Sequence, residues 1–525
     1  MSALEALREA VRATDGIAAY VLYYCLLCNT LNALLLVLAT SSMHRHLTTR
    51  AKDRRWLLLS SAVAPCITMI APAYEEQETV VDSITSLMTL SYPALEVVVV
   101  NDGSSDETLA RLVEEFDLVP MPVVYRKRVE TQDVRGVYRS RREPNLLVVD
   151  KVNGGKADAL NAGLNICSGE LVCTIDADTI VEDDALLRMV RPFVDRTDCL
   201  AVGGTIRVVN GSEVVHGRVV TPRAPRTWLA GIQYVEYLRA FLFGRLGWNS
   251  LGGNLIISGA FGLFRKESVL AAGGYLHGTV GEDMELVARL RATSPRGAPT
   301  VVQFVPDPVA WTEVPETLAV LGRQRDRWHR GLSDVLWRYR GSILSPRKGR
   351  LGLVVYPYFL FVELLAPVVE GFGLLYMGAR MLLGIADLRF VLAFVVLTYV
   401  FGLVLSLWAI ALDGVAFPRG HRRRDELLLI LWAVAEQVGY RQLTIVWRLR
   451  GIREYLRGST EWGAMTRRGF AVRLEAEGAP AAVPAVPAAP AVLAAPAVPA
   501  LAAPTGASSA QGGPPRQASA RSLGT

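Results

Sequence analysis

Several short acidic motifs in this chain have the spacing that chemistry requires. Asp102 follows the apolar run VVVVN and precedes Gly-Ser-Ser, so a carboxylate stands where a buried strand turns into a loop. Asp176 and Asp178 follow a second apolar run, two residues apart. Like charges so close are costly unless a cation joins them, and Mg²⁺ or Mn²⁺ prefers carboxylate oxygens together with substrate phosphates. The pattern predicts a divalent cation site; a solvated turn at 176–178 and a helix N-cap at Asp102 are the alternatives.

Two further motifs combine glycines with charged residues. Lys156 follows Gly154 and Gly155 and opens a predicted helix, an arrangement that suits a phosphate. Glu282 and Asp283 follow a glycine-rich stretch of the chain. An acidic pair beside such a wall predicts a general base. The alternative is that these acidic residues only favour the start of a helix.

The segment QRDRW places two arginines, an amide and an indole on about one and a half helical turns. Its chemical side chains are Gln324, Arg325, Arg327 and Trp328. Arginine binds a diphosphate with two parallel hydrogen bonds, and an indole offers a flat apolar face to a sugar. The alternative is an amphipathic helix whose arginines reach out of a membrane surface.

Alternating strands and helices are expected to position these motifs. The sequence predicts strands at 66–72, 96–101, 122–126, 146–150 and 171–176, and helices at 77–90, 106–116, 156–167 and 183–194. This alternation is typical of an α/β domain with a mostly parallel sheet covered by helices on both faces. Ligands of such sheets bind at the carboxyl ends of the strands, where Asp102, Asp176 and Asp178 stand.

Apolar segments flank this region on both sides. Residues 17–40 carry no charge, which matches the roughly 20 residues that span a bilayer. The basic residues that follow, from Arg45 to Arg55, place residues 43 onward in the cytosol by the positive-inside rule. Spans are also predicted at 353–383 and 390–412, with an ambiguous third at 427–446. Residues 228–248 and 317–340 are too charged to span, so we expect interfacial helices there, or else ordinary helices that cover the sheet.

Composition agrees with a membrane protein that has a polar middle. Hydrophobic residues make up 51% of the 525, while 56 Lys and Arg against 50 Asp and Glu give a formal charge of +6. That charge is too small to predict a nucleic-acid partner. The predicted organisation is an N-terminal anchor and basic linker (1–60), a cytosolic catalytic domain (61–345), a C-terminal transmembrane region (346–447), and a basic segment with an Ala/Pro-rich disordered tail (448–525).

The order of the motifs resembles a known family. APAYEE (71–76), VVVVNDGS (97–104), NGGKADALNAGL (153–164), DADT (176–179), SGAFGLFRKE (258–267), GED (281–283) and QRDRW (324–328) are similar to the motifs of the processive family 2 glycosyltransferases. That family includes the cellulose, chitin, hyaluronan and poly-N-acetylglucosamine synthases. The resemblance covers residues 65–335, and Ser258-Gly259 looks closer to the amino-sugar polymerases.

This resemblance implies a fold and a set of roles. The fold would be of the GT-A type, a Rossmann-like sheet on interfacial helices. The nucleotide would be bound by Tyr74, Glu76, Asp102, Lys156, Asp176 and Asp178, with Asp176 and Asp178 also holding Mg²⁺ or Mn²⁺. Asp283 would be the general base. The diphosphate and the acceptor end of the glycan would be bound by Glu282, Gln324, Arg325, Arg327 and Trp328.

The expected function is therefore inverting transfer from a UDP-sugar, most simply UDP-N-acetylglucosamine, to a growing β-linked polysaccharide at the inner membrane. The expected partners are the donor, the acceptor glycan, membrane lipid and an accessory export subunit. Glu363 and Glu370 lie seven residues apart on one helix face, so they either line a glycan exit path or face other protein groups. Two other functions stay open, a non-processive lipid glycosyltransferase and an inactive membrane scaffold.

Overall fold

The computed structural model describes residues 15–50, 64–176, 179–215, 217–293, 300–417 and 423–459, with Glu5 and Glu9 beside them. The strands, in chain order, are β1 (Ile67–Ala73), β2 (Leu95–Asn101), β3 (Leu118–Pro120), β4 (Val134–Ser140), β5 (Leu146–Lys151), β6 (Leu171–Ile175), β7 (Thr179–Val181), β8 (Cys199–Val208), β9 (Glu213–Val215), β10 (Arg218–Thr221), β11 (Phe261–Arg265) and β12 (Val301–Thr312).

Helices precede, alternate with and follow these strands. They are α1 (Asp15–Arg50), α2 (Val80–Met88), α3 (Thr108–Glu115), α4 (Lys156–Ile166), α5 (Ala185–Asp195), α6 (Trp228–Leu238), α7 (Leu246–Leu251), α8 (Lys266–Ala271), α9 (Glu282–Thr293), α10 (Leu318–Arg338), α11 (Leu351–Leu382), α12 (Leu388–Ala416), α13 (Arg423–Ala435) and α14 (Arg441–Leu456). Single π-helical segments join α6 to α7 (Arg239–Arg245) and α13 to α14 (Glu436–Tyr440).

The main sheet of the described residues has ten strands in the order β3-β4-β5-β2-β1-β6-β11-β8-β12-β7. The four central strands β5, β2, β1 and β6 are parallel, and β4 and β11 flank them in the antiparallel direction. This confirms the predicted α/β class with a mostly parallel, GT-A-like centre. Because parallel strands end at the same edge, the loops after β1, β2, β5 and β6 meet there.

The central strands form because their apolar runs are buried on both faces. In β2, Val97 and Val99 belong to one core and Val98 and Val100 to the other, on opposite sides of the sheet. A parallel strand covered on both faces reads as a continuous β-branched run for this reason. The helices predicted beside these strands are present as α2, α3, α4 and α5.

The predicted strand at 122–126 is wrong. These residues pair with no strand among those described, and Val124 is fully exposed. Pro122 removes a backbone donor at the start of this stretch, which disfavours sheet pairing. The chain instead forms the short edge strand β3 and returns as β4, which pairs with β5.

Within the described part of the chain, three helices are long and apolar enough to cross a membrane. They are Gly16–Thr49, Leu351–Leu382 and Leu388–Ala416, which correspond to α1, α11 and α12. Large apolar side chains on these helices, such as those of Leu375 and Leu382, are exposed. These helices associate the protein with a membrane.

The segment predicted as an ambiguous third C-terminal span is broken in the middle. Val438 and Gly439 leave the helical conformation between α13 and α14, with Gly439 at φ +80°. Just before the break, Glu436 forms an ion pair with Arg239 at 2.6 Å. Arg441 likewise pairs with Glu370 of α11 at 2.6 Å. Glu370 therefore faces a protein group, which is the second of its two expected environments.

The two segments predicted as interfacial are helical. Ala230, Tyr234 and Val235 of α6 belong to the core beneath the sheet, which also includes Ala409 of α12 and Ala433 of α13. The helix α6 therefore covers the sheet and contacts the apolar helices at once. The helix α10 packs along α14, where a Cβ on Gly451 would lie 2.7 Å from the carbonyl oxygen of Asp326.

Candidate active site

The loops after the four parallel strands place charged residues at one edge of the sheet. The register aligns Ala73 at the end of β1 with Asn101 at the end of β2, and Asn101 with Asp150 of β5. Asp102 and Asp176 are the residues that follow β2 and β6. The sheet topology thus brings the two acidic motifs to the same edge of the sheet, at the ends of β2 and β6, with β1 between them.

Asp102 is buried and held by three donors. Its carboxylate accepts hydrogen bonds from Lys151 Nζ at 2.5 Å, from the Gly154 amide at 3.1 Å and from the Gly155 amide at 2.8 Å. Only 3% of the residue is exposed. Asp102 therefore fixes the glycine loop before Lys156 as well as standing at the strand end.

The two loops touch so closely that glycine is required at their contact. A Cβ on Gly103 would lie 2.6 Å from the Asn153 amide nitrogen, and Gly103 has φ +69°. Gly155 has φ +85° and stands just before α4. Side chains at these positions would be strained, which explains why glycine follows Asp102 and precedes Lys156.

The APAYEE turn lies beside the loop after β2. The Glu75 amide donates to Ser104 Oγ at 3.1 Å, and the Glu76 amide donates to Thr108 Oγ1 at 3.0 Å. Glu75 has φ +54°, an uncommon conformation for a residue with a side chain. Tyr74 is half exposed at the lip of this turn, which leaves its ring free to meet a ligand.

A small cavity of about 10 Å³ lies beside β1 and the same turn. Its lining is mostly apolar and includes Pro72, Val99 and Ile175, with Ser83, Asp176 and Thr179 as its polar members. The cavity therefore adjoins the carboxylate that follows β6.

Lys156 joins the cluster after β6 to the start of α9. Its ammonium lies 2.5 Å from Asp176 Oδ1 and 3.4 Å from Glu282 Oε1. Burial alone would lower the pKa of Lys156, but Asp176 and Glu282 raise it well above its ordinary value. Burial raises the pKa of Glu282, while the nearby Lys156 charge opposes that rise. Lys156 is therefore a fixed positive charge within a ring of carboxylates.

Asp283 stands in the first turn of α9 and faces the glycine-rich segment. Its Oδ2 atom accepts a hydrogen bond from the Gly259 amide at 3.0 Å. A Cβ on Gly259 would lie 3.4 Å from that oxygen and 3.6 Å from Lys156 Nζ, so Gly259 fits between the carboxylate and the ammonium. A carboxylate held in this position is a suitable group to accept the proton of a substrate hydroxyl.

The QRDRW side chains have different partners. By helical periodicity Gln324, Arg327 and Trp328 share one face of α10. The Arg325 guanidinium forms an ion pair with Glu236 of α6 at 2.5 Å and also lies over the Trp328 ring. Trp328 is 45% exposed, so its indole is available to a ligand.

The predicted metal site is described only in part. Asp178 lies outside the described residues, and those that are described contain no group of three or more His, Cys, Asp and Glu side chains that could hold a metal. The carboxylate of Asp176 does fit a hard cation, because Mg²⁺ uses one or two carboxylates together with substrate phosphates. Its present partner, the Lys156 ammonium, shows that a positive charge is stable at this oxygen.

Sequence reasoning missed three charged residues near the site. Lys151 bridges Asp102 and Asp158, and its position at the end of the LLVVD strand was the available signal. Glu236 lies far from QRDRW in the chain and gave no signal. Arg245 stacks on Phe241 at 4.2 Å, and its pKa falls to about 10 because of burial, despite the opposing charge of Asp283.

The site and the fold define a transferase that uses a nucleotide-sugar donor. Residues 64–331, just over half of the chain, match the model of the glycosyltransferase-like family 2, and the chain belongs to this family. It is thus an enzyme of the nucleotide-sugar-dependent kind.

Curated relatives include the poly-β-1,6-N-acetyl-D-glucosamine synthases of Staphylococcus. The protein of Staphylococcus epidermidis is 30% identical over 291 residues, which cover 55% of this chain and 60% of that protein. The protein of Staphylococcus aureus strain COL is 29% identical over 297 residues, covering 56% and 61%. The match thus spans about three fifths of the length of these relatives.

Solved structures with a similar backbone path share less sequence identity with this chain. A mannosyltransferase from Pyrobaculum calidifontis in complex with GDP-Man and Mn²⁺ is 19% identical with a TM-score of 0.42, covering 81% of this chain and 99% of that chain. Residues 1–349 of Staphylococcus aureus TarS in complex with UDP-GlcNAc are 16% identical with a TM-score of 0.36, covering 72% and 92%.

Proposed function

We propose that this protein is a membrane-bound inverting polysaccharide synthase that extends a β-linked amino-sugar polymer from a UDP-sugar, with UDP-N-acetylglucosamine as the donor. The observation that carries the proposal is the contact of Asp283 with Gly259 beside Lys156 and Asp176. The identity of about 30% to poly-N-acetylglucosamine synthases supports the choice of sugar.

The donor binds at the strand ends. Tyr74, Glu76 and Asp102 contact the nucleotide, and Lys156 lies next to the diphosphate. Asp176 and Asp178 hold Mg²⁺ or Mn²⁺, which when bound places positive charge beside the diphosphate. Positive groups fixed where negative charge develops are worth more in such a water-poor site than in bulk water.

Transfer is a single displacement in this proposal. The acceptor hydroxyl loses its proton to the Asp283 carboxylate as its oxygen bonds to the anomeric carbon of the donor. The bond between that carbon and the diphosphate oxygen breaks, and its electron pair leaves with UDP. Attack from the opposite side inverts the anomeric centre, which gives a β linkage from an α-linked donor.

The acceptor end of the glycan rests on α10. Trp328 offers its exposed indole to the apolar face of a sugar, Gln324 supplies an amide, and Arg327 reaches the diphosphate. Glu282 stays paired with Lys156 and so holds the charge next to the reacting groups. Arg325 acts through Glu236 rather than on the substrate, because its guanidinium is already engaged there.

In this proposal the transfer reaction takes place at the cytosolic face of the plasma membrane, next to the membrane helices. The basic residues after α1 support a cytosolic catalytic domain under the positive-inside rule. We propose that the polymer leaves between α1, α11 and α12, that lipid surrounds these helices, and that an accessory export subunit receives the product.

Donor identity and polymer length test the proposal together. Membranes that contain the full chain are incubated with labelled UDP-N-acetylglucosamine, UDP-glucose or UDP-glucuronic acid, and the products are sized by gel filtration. We expect a high-molecular-weight product from UDP-N-acetylglucosamine alone. A product with one added sugar would indicate a lipid glycosyltransferase, and no UDP release from any donor would indicate an inactive scaffold.

A further inference from the structure

The helix that carries the proposed base and the helix that carries the acceptor residues touch through their backbones. A Cβ on Gly331 of α10 would lie 3.1 Å from Gly281 Cα and 3.2 Å from its nitrogen. A Cβ on Gly281 would in turn lie 3.2 Å from Gly331 Cα. These distances are shorter than ordinary side-chain contacts, so a side chain at either site would require the neighbouring backbone to move by a few tenths of an ångström.

We propose that Gly281 and Gly331 are positioning residues that set the distance between the base Asp283 and the acceptor-binding face of α10. The inference rests on the proposed function. Gly281 is two residues before Asp283, and Gly331 follows Trp328 by three residues and Gln324 by seven, on the same helical face. A shift at this contact therefore moves the carboxylate relative to the indole.

Two hydrogen bonds join the same two segments of the chain close to the glycine contact. Thr279 Oγ1, two residues before Gly281, donates to Asp334 Oδ2 at 3.0 Å. The Tyr339 hydroxyl, just after α10, donates to Glu285 Oε1 of α9 at 2.7 Å. Thr279 and Glu285 are buried, so these bonds are shielded from water. Together with the glycine contact, they oppose separation of the start of α9 from α10.

The opposite face of α10 cannot absorb a displacement easily. A Cβ on Gly451 of α14 would lie 2.9 Å from His329 Cβ. A Cβ on Gly322 would lie 2.8 Å from the Trp447 indole nitrogen. Because α10 is packed this closely against α14, a side chain added at Gly331 pushes mainly on Gly281 and on the start of α9.

The contact contains no charged side chain, so a substitution there acts through packing and not through a change of charge. Substitution of either glycine by alanine leaves Asp176, Lys156 and Asp283 chemically unchanged. The neighbouring backbone must move by a few tenths of an ångström, whereas the donor site at the strand ends stays in place. Alignment in the reacting complex is sensitive to such shifts, since about 1 Å of misplacement can cost about a hundredfold in rate.

The test compares Gly331→Ala and Gly331→Val in the purified full chain, using the nucleotide sugar that the wild type turns over fastest. We expect kcat to fall about tenfold for Ala and about a hundredfold for Val. The donor KM and the affinity for UDP, measured by calorimetry, should change less than about twofold. Thr279→Ala should lower kcat in the same way, and Thr279→Ser, which keeps the hydroxyl, should restore it.

Two other glycines provide matched controls. The methyl group added by Gly341→Ala would point into open space just after α10. The methyl group added by Gly322→Ala would perturb α10 from the α14 side. We expect the first to be silent and the second to affect kcat less than Gly331→Ala. Equal kcat for Gly331→Val and the wild type, equal losses at Gly322 and Gly331, or a loss that appears in UDP affinity would each overturn the inference. A wild type that adds only one sugar would contradict the proposed function instead.

Discussion

The donor side and the acceptor side of the site are built in different ways. At the donor side, Asp102 and Asp176 follow β2 and β6 at one edge of the sheet. Lys151 at the end of β5 pairs with Asp102, and Lys156 at the start of α4 pairs with Asp176. At the acceptor side, α10 is fixed by side chains from distant segments, including Glu236 of α6 and Tyr440 near the break before α14. Strand ends position the first set, and ion pairs between helices position the second.

Substitutions at the two sides of the site are expected to have different effects. In the proposed function the charged groups of the donor side contact the substrate directly, so their loss should act on chemistry. On the acceptor side, Arg325 is held by Glu236 and is stacked 4.5 Å from the Trp328 ring. Its loss should act first on the placement of α10. Substitutions on the two sides should therefore differ in whether they change turnover or the stability of the fold.

Replacing the proposed base should have the largest effect. Asp283→Asn keeps the size of the side chain but removes proton acceptance, and we expect turnover to fall about a thousandfold, within the range of general-base contributions. UDP affinity by calorimetry should stay close to that of the wild type. The neighbouring Glu282→Gln is the matched control and should cost about tenfold. Full-length polymer from Asp283→Asn would refute the assignment of the base.

Removal of divalent cations should abolish transfer reversibly. We expect EDTA to stop UDP release and added Mn²⁺ or Mg²⁺ to restore it, because the donor diphosphate and Asp176 share the cation. Asp176→Asn should raise the Mn²⁺ concentration needed for half-maximal activity by at least about tenfold. Activity that persists in EDTA, with unchanged response of the variant, would exclude Asp176 as a ligand.

Breaking the ion pair behind α10 should act on stability and on product length. Glu236→Gln leaves Arg325 without its carboxylate, and we expect a loss of about 2 kcal/mol in unfolding free energy. The polymer should become shorter while UDP affinity is retained. Tyr440→Phe removes only one hydrogen bond and should cost about 1 kcal/mol.

The exposed Glu107 provides the control for that pair. Its carboxylate lies 4.0 Å from Arg111 on a solvent-facing helix, so Glu107→Gln should leave stability and product length unchanged. If Glu236→Gln behaved like Glu107→Gln, the contrast between the two sides of the site would be lost. Reduced UDP affinity in Glu236→Gln would equally place Arg325 on the donor side.

The smallest expected effect is a pH dependence of stability from His329. Burial, aided by the charge of Arg448, lowers the pKa of His329 to about 4, below its ordinary value of 6.5. The unfolded chain therefore binds the extra proton between pH 6.5 and 4, and stability falls as pH falls through that range. From pH 7 to pH 5 we expect a loss of about 2 kcal/mol.

Thermal unfolding of the detergent-solubilised chain at pH 7 and pH 5 measures this loss. His329→Gln has no proton to bind, so its stability should depend less on pH than that of the wild type. Identical pH dependence in the two proteins would show that His329 does not titrate on unfolding.

Most of the donor side could be predicted from the sequence. The strands β1, β2, β5 and β6 lie within one or two residues of their predicted bounds, since each is a continuous apolar run that a sheet buries on both faces. The charged residues follow these runs directly. The strand predicted at 122–126 is absent because Pro122 disfavours pairing there, so the short edge strand β3 ends before it.

The acceptor side could be predicted only in part. QRDRW marks the helix, but nothing local indicates that Arg325 pairs with a carboxylate 89 residues away. Likewise nothing local indicates that Glu436 and Arg441, which flank the break at Gly439, form ion pairs with distant helices. Such contacts depend on tertiary packing, which periodicity and motif spacing do not encode.

A structure of the full chain with UDP-N-acetylglucosamine and Mn²⁺ tests the account most directly. The account predicts the diphosphate beside Lys156, Mn²⁺ about 2.1 Å from an oxygen of Asp176, and the sugar between Asp283 and Trp328. A diphosphate bound away from Asp176, or a sugar out of reach of Asp283, would contradict it.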